Sequence, residues 1–218
     1  MIPKARDAKG PYMVRPLGVI LAGGLARRMG GGDKSLLTLG ASRVLDQVIA
    51  RFGAQVDQMV LNANGDPARF DEFGLPVVAD SLDGFLGPLA GVLAGLDYAA
   101  EHGFDHVVSV AADTPFFPMD LVSALGSASS HMDVQIALAA TKIEGGKTVR
   151  HPTFGFWPVA LREDLRSALQ DGLRKVVLWT DQHGAKTHVF DSGEIDPFFN
   201  INTPEDLELA NKKMETLA

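Results

Sequence analysis

The chain has 218 residues, 46% of them hydrophobic, enough to bury a sizeable core in one domain. Acidic residues outnumber basic ones 27 to 20, a formal net charge of -7, which argues against a duplex-binding surface that must neutralise many phosphates. There is no cysteine, which excludes disulfides and cysteine nucleophiles and permits a reducing cytoplasm; no apolar run approaches the roughly 20 residues of a membrane-spanning helix.

The opening stretch "MIPKARDAKGPYMVRP", residues 1–16, lacks the apolar centre of a signal peptide and reads as a flexible leader. Residues 17–218 read as one domain. "LGVILAG", from Leu17, is a short apolar run of the kind expected for a strand buried on both faces of a parallel sheet. A helix fits "SRVLDQVIARF", with Ser42 as its cap and Val44, Val48 and Phe52 at helical spacing. "QMVLNAN" and "LPVVAD" supply further strands. Pro88 suits a first helical turn, and Leu89, Val92, Leu93 and Leu96 line one face of that helix until Gly103 stops it. "DHVVSVAAD" is a fourth strand and "PMDLVSAL" starts the next helix. Such alternation predicts a three-layer α/β/α, doubly wound, mostly parallel sheet.

The pattern changes after about residue 130. "VQIALAATKIEGGKTVRHPTFGFWP" reads as two strands around a Gly-Gly turn, an antiparallel insertion. Helices near 160–170 and 173–182 and a strand at "KTHVF" follow. In the closing "NINTPEDLELANKKMETL", Thr203 can cap a helix that Pro204 starts, with a solvated charged face.

In open α/β sheets ligands bind beyond the carboxyl ends of the strands, and the first strand runs into "AGGLARRMGGGDK". Gly23 and Gly24 let backbone N–H groups approach an anion closely. Arg27, Arg28 and Lys34 add the charge that suits a polyphosphate. Two familiar phosphate loops fail: no G-x-x-x-x-G-K-S/T is present here, because Asp33 stands between Gly32 and Lys34, and no G-x-G-x-x-G follows the strand. Asp113, after a strand, suits Mg²⁺, which commonly takes one or two protein oxygens; it could instead cap the next helix. His151 is expected to be a structural hydrogen-bonder, and Phe154, Phe156 and Trp157 to be packing rather than a stacking platform. The remaining histidines show no metal-ligand spacing.

The sequence from Leu21 to Lys34 fits L-A-G-G-x-x-x-R-M-G-x-x-D-K throughout, and "NAN", "ADSL", "GPLAG", "DTPF", "HPTFG" and "NINTPEDL" follow in order. In these motifs the chain resembles the molybdenum cofactor guanylyltransferases, within the nucleotidyltransferases of the glycosyltransferase-A type. The resemblance implies a Rossmann-like nucleotidyltransferase fold with a nucleotide-binding half (17–130) and a cofactor-substrate half (131–218). The implied reaction transfers GMP from GTP to the phosphate of molybdopterin, with Mg²⁺ as cofactor, and releases pyrophosphate to form molybdopterin guanine dinucleotide. By the same resemblance Leu21, Ala22, Gly23, Gly24, Asn62 and Asp80 contact the nucleotide, Arg28 and Lys34 clamp phosphates, and Asp113 ligates Mg²⁺. Asn200 or Asn202 assists at the metal or meets the pterin substrate. A monomer is expected, making transient contacts with cofactor-synthesis proteins and target molybdoenzymes, without nucleic acid or membrane. Two alternatives stay open: a cytidylyltransferase on the same cofactor, whose signature reads L-A-A-G, and a non-catalytic nucleotide- or cofactor-binding module.

Overall fold

The computed structural model describes residues 16–23, 33–84, 86–129, 135–143, 145–193 and 196–217. The leader up to residue 15, and with it the expected flexibility there, lies outside them. So do Gly24, Arg27, Arg28 and His131.

The strands are β1 (Leu17–Leu21), β2 (Thr38–Leu39), β3 (Ser42–Arg43), β4 (Met59–Asn62), β5 (Val77–Val78), β6 (His106–Ala111), β7 (Ala137–Lys142), β8 (Thr148–Pro158) and β9 (Lys186–Phe190). The α-helices are α1 (Val44–Gly53), α2 (Pro88–Glu101), α3 (Leu121–Ser129), α4 (Arg162–Gln170), α5 (Val176–Gln182) and α6 (Pro204–Leu217). A seven-stranded sheet has the order β5-β4-β1-β6-β8-β7-β9. β5, β4, β1 and β6 pair in parallel, β8 runs against both β6 and β7, and β9 runs parallel to β7.

Period-2 alternation divides the core. Ile20, Leu61, Val108 and Phe156 face α1 and α3 with Val48, Phe52, Leu121 and Leu125. Their neighbours Val19, Val60, Val107 and Trp157 face α2, α4 and α5 with Leu89, Leu93, Leu165 and Trp179. The predicted α/β/α layering and mostly parallel sheet are therefore present. A third cluster of Leu39, Val44, Phe116, Ile201 and Ala210 packs α6 against the β2–β3 hairpin.

Several boundaries differ from expectation. Ser42 does not cap α1: it lies in β3, and the helix opens at Arg43, whose backbone N donates to Asp46 Oδ2 at 2.9 Å. A carboxylate three residues into a helix satisfies an orphan donor there and also pairs with the Arg43 side chain. The "LPVVAD" strand shrinks to Val77–Val78 at the sheet edge. The insertion is not appended to the sheet but enters it, with β8 between β6 and β7. α5 starts at Val176 rather than near Leu173, because Leu173 N bonds back to Ala168 O at 2.9 Å and closes α4. Thr203 does cap α6, its Oγ1 accepting from Asp206 N at 3.2 Å.

Candidate active site

The ends of three adjacent parallel strands form one row. Leu21 of β1 lies in register with Asn62 of β4 on one side and with Ala111 of β6 on the other. The chain leaves each strand on the same side of the sheet, and the departing segments enclose a cleft of about 600 Å³. Leu21, Ala22, Gly23, Lys34, Asn62, Asp80, Asp113 and Asn200 all line it. Eight residues chosen from the sequence thus meet at one place. Asn202 is not in the cleft wall but touches it through Lys34, whose Nζ donates to Asn202 Oδ1 at 2.7 Å.

At one end the cleft carries amides around a carboxylate. Asn62 Nδ2 donates to Asp80 Oδ1 at 2.9 Å and Asn64 Nδ2 to Asp80 Oδ2 at 2.8 Å, while Asp80 N donates to Asn64 Oδ1 at 2.9 Å. Each Asp80 oxygen keeps lone-pair capacity for a further donor. α2 abuts this wall at Gly91, where a Cβ would stand 2.2 Å from Asn62 Oδ1 and 2.8 Å from Leu21 Cδ2. Only glycine lets the helix come so close.

The other end holds Lys34 and Asp113. Lys34 opens a short 3-10 helix, Lys34–Leu36. Partial burial pushes the Asp113 carboxyl above its ordinary value, opposed by the Lys34 cation and the Thr114 hydroxyl. That hydroxyl lies 3.2 Å from Asp113 Oδ1 and also reaches Asn200 Oδ1. Ile201 N donates to Asp113 O at 2.9 Å, so the loop before α6 is stitched to the end of β6. Asp206 Oδ2 fixes the same loop by accepting from the backbone N of Asn202 and Thr203, both at 2.9 Å.

Among the described residues no three or more His, Asp or Glu side chains cluster as a metal-binding group. Among the described residues, the oxygen donors gathered around Thr114 are the Asp113 carboxylate and the Asn200 amide oxygen. That sparse all-oxygen set fits Mg²⁺, which keeps several waters and shares substrate phosphates. It does not fit a structural transition-metal site.

The sequence reading left three cleft features unassigned. Asn64, the second amide of "NAN", supports Asp80. Thr153 enters the lining because β8 changes register against β7 between Leu138, opposite Gly155, and Ala139, opposite His151. Pairing of β8 with β6 stops at Ser109 and Gly155, which parts the two strands near Asp113. Asp33 also lines the cleft and is ion-paired to Arg69. The doubled Asn was a legible signal; a register shift and an arginine in a 3-10 helix carry none. The packing readings stand: Phe154, Phe156 and Trp157 are buried in the core. His151 makes a structural contact, Nε2 to Thr141 Oγ1 at 2.8 Å, with its ring stacked on Phe198. No helix among the described residues is long and apolar enough to cross a membrane.

Residues 18–185 match the family model described as the MobA-like NTP transferase domain. A molybdenum cofactor guanylyltransferase of Mesorhizobium japonicum is 48% identical over 205 residues, covering 92% of this chain and 96% of the relative. One from Bradyrhizobium sp. strain ORS 278 is 51% identical over 198 residues, covering 89% of this chain and 91% of the relative. The fold is also that of the molybdopterin-guanine dinucleotide biosynthesis protein A of Archaeoglobus fulgidus, with TM-score 0.67 and 21% identity over 92% of this chain and 99% of that one. A 2-C-methyl-D-erythritol 4-phosphate cytidylyltransferase of Thermus thermophilus shares it, with TM-score 0.65 and 19% identity over 90% and 98%. With the family model spanning most of the sheet and relatives at about half identity along nearly their whole length, the chain belongs to the MobA-like NTP transferase family, among the molybdenum cofactor guanylyltransferases.

Proposed function

We propose that the protein transfers GMP from GTP to the terminal phosphate of molybdopterin, forming molybdopterin guanine dinucleotide and releasing pyrophosphate. The observation that carries this is the polarity of the cleft: an amide-buttressed carboxylate, Asp80, at one end, and Lys34 beside Asp113 at the other. A guanine against Asp80 could donate its N1 and N2 hydrogens to the carboxylate. Its phosphates would then extend towards Lys34 and Asp113.

In-line attack of one phosphate on another brings anions together, so positioning and charge neutralisation supply most of the catalysis. No protein nucleophile is required. Lys34 is a mobile point charge, held by Asn202 until phosphates compete for it. Asp113, with Asn200 beside it, would hold Mg²⁺, which when bound offsets phosphate charge. The acceptor phosphate would lie beyond Asp113, near Thr153, where β6 and β8 cease to pair. Arg28 and Gly24 enter the reading as phosphate contacts on the strength of the family signature. The same reading takes the protein as a cytoplasmic monomer that meets cofactor-synthesis proteins and molybdoenzymes transiently; the absence of cysteine suits a reducing compartment.

Incubation with Mg²⁺, molybdopterin and equal GTP and CTP, with the dinucleotide products separated, tests the reading. GMP product should dominate, and Asp113→Asn should need much more Mg²⁺ or fail. Comparable CMP product would overturn guanine specificity, and tight binding without turnover would make the chain a carrier. Gly23→Ala is an informative companion, because among the described residues an added Cβ meets only Asn62 Oδ1, at an ordinary 3.7 Å. The fold tolerates that methyl, so any change in base preference reports on the pocket.

A further inference from the structure

The transfer chemistry leaves the 3-10 helix Pro67–Phe73 without a role, although its Arg69 touches Asp33 and Asn64, two residues that line the cleft. Its cap is built from local parts: Asp66 Oδ1 accepts from Ala68 N at 2.9 Å, and Gly74 closes it in the left-handed conformation with φ 63°. From this helix Arg69 reaches in two directions. Its Nε lies 2.7 Å from Asp33 Oδ2, and Asp33 is the residue before Lys34. Its Nη2 donates to Asn64 O at 2.7 Å and its Nη1 to Asp66 O at 2.9 Å. The guanidinium also lies 4.7 Å from the centroid of the buried Phe70 ring, which limits its swing.

Asn64 is the residue that grips Asp80 through both its amide nitrogen and its carbonyl oxygen. An unbroken chain of polar contacts therefore runs Asp33, Arg69, Asn64, Asp80. It joins the segment carrying Lys34 to the wall assigned to guanine, across a stretch of sequence from 33 to 80. Arg69 is thus ion-paired to one carboxylate through the Nε edge and hydrogen-bonded to two carbonyls through Nη1 and Nη2, which fixes the plane of its guanidinium. Lysine could not replace it, since a point charge on a flexible stem cannot span three acceptors in fixed directions.

We propose that Arg69 is a positioning residue that sets the distance between the phosphate clamp and the guanine wall. It acts through Asp33 on Lys34 and through Asn64 on Asp80, and this role rests on the nucleotidyl-transfer reading of the cleft. A residue that only stapled its own 3-10 helix would affect stability and leave nucleotide parameters alone.

The test compares wild type with Arg69→Gln, Arg69→Lys and Asp33→Asn on two readouts. The first is steady-state turnover with GTP varied. The second is amide hydrogen exchange in nucleotide-free protein at Leu36, whose N donates to Asp33 O at 3.0 Å, and at Asp80. Both Arg69 variants should raise the KM for GTP and lower kcat by between about tenfold and 10²-fold in kcat/KM, the range a small misplacement produces. Arg69→Lys should not rescue. Exchange at Leu36 and Asp80 should accelerate together in Arg69→Gln, and Asp33→Asn added to Arg69→Gln should change kcat/KM no further. The proposal is overturned if Arg69→Gln keeps wild-type KM and kcat, or if faster exchange is confined to Ala68 while Leu36 and Asp80 stay protected. Absence of GMP product from wild type would defeat the nucleotidyl-transfer reading instead, and the exchange pattern, measured without nucleotide, would still decide whether Arg69 ties the two walls.

Discussion

Lys34 shows how one side chain can be both held and available. Its ammonium rests on the Asn202 carbonyl oxygen at 2.7 Å, a neutral acceptor that binds it less strongly than a carboxylate would. A polyphosphate can therefore take the lysine from Asn202 at small cost, whereas an ion pair in the same place would compete with substrate. The neighbouring Asp33 avoids capturing it by pairing with Arg69. Lys34→Ala should consequently lower kcat by about 10²-fold or more, the loss seen when a charge aimed at developing negative charge is removed. Stability should fall only modestly, through the loss of the part-buried Asn202 hydrogen bond and of the cation that offsets the buried Asp113 carboxylate. Steady-state kinetics at saturating GTP, paired with a thermal melt, checks both halves. Wild-type turnover in this variant would remove Lys34 from the reaction.

At the scale of elements, β8 does the most to shape the site. Its last four residues, 155–158, pair with β6, and its bulge brings Thr153 to the cleft lining. Ser109, fully buried on β6, fastens that bulge: its Oγ donates to Thr153 O and accepts from Trp157 Nε1, both at 2.8 Å. Ser109→Ala would leave the indole N–H and the Thr153 carbonyl unpaired, a cost of about 1–3 kcal/mol for each buried group. The melting temperature should fall by roughly 2–4 °C per kcal/mol for a chain of this length, and the KM for GTP should rise as Thr153 shifts. An unchanged melting curve would mean the backbone alone holds the bulge. None of this was legible in the sequence, although the strands themselves were: apolar runs such as Leu17–Leu21 announce themselves by composition. The place of β8 between β6 and β7 depends on pairing across more than 40 residues, as in Ser109 with Gly155, which local patterning cannot encode. Serine is a common cap, which makes Ser42 the natural expectation for α1, but the β2–β3 hairpin claims it and Asp46 satisfies the helix's first donor instead. Asn62 and Asp80 come from the motif resemblance rather than from local patterning; the structure supplies the physical reasons, close approach of α2 at Gly91 and the amide–carboxylate contact of Asn62 with Asp80.

At the scale of the whole molecule, the two halves expected from the sequence are woven together. β6 from the first half lies between β1 and β8, so parting the chain near residue 130 would bare Val107 and Trp157, both buried. The C-terminal segment also returns to the first half: Lys34 meets Asn202, Ile201 N meets Asp113 O, and Gly40 N donates to Asn211 Oδ1 at 2.8 Å. A cleft closed by residues from both ends of the chain cannot be assembled by either half alone. We expect one cooperative unfolding transition in calorimetry, with calorimetric and van't Hoff enthalpies equal. A ligand that binds only the folded form stabilises it by about 2.7 kcal/mol at a hundredfold excess over its Kd. At roughly 2–4 °C per kcal/mol, GTP should then shift the whole transition by roughly 5–11 °C. If calorimetry instead resolved two transitions and GTP moved only the one belonging to residues 17–130, the halves would be separate folding units. Lys34 and Asp113 would then be held in the nucleotide-binding half without help from the segment around Asn200 and Asn202, against the hydrogen bonds that now join them.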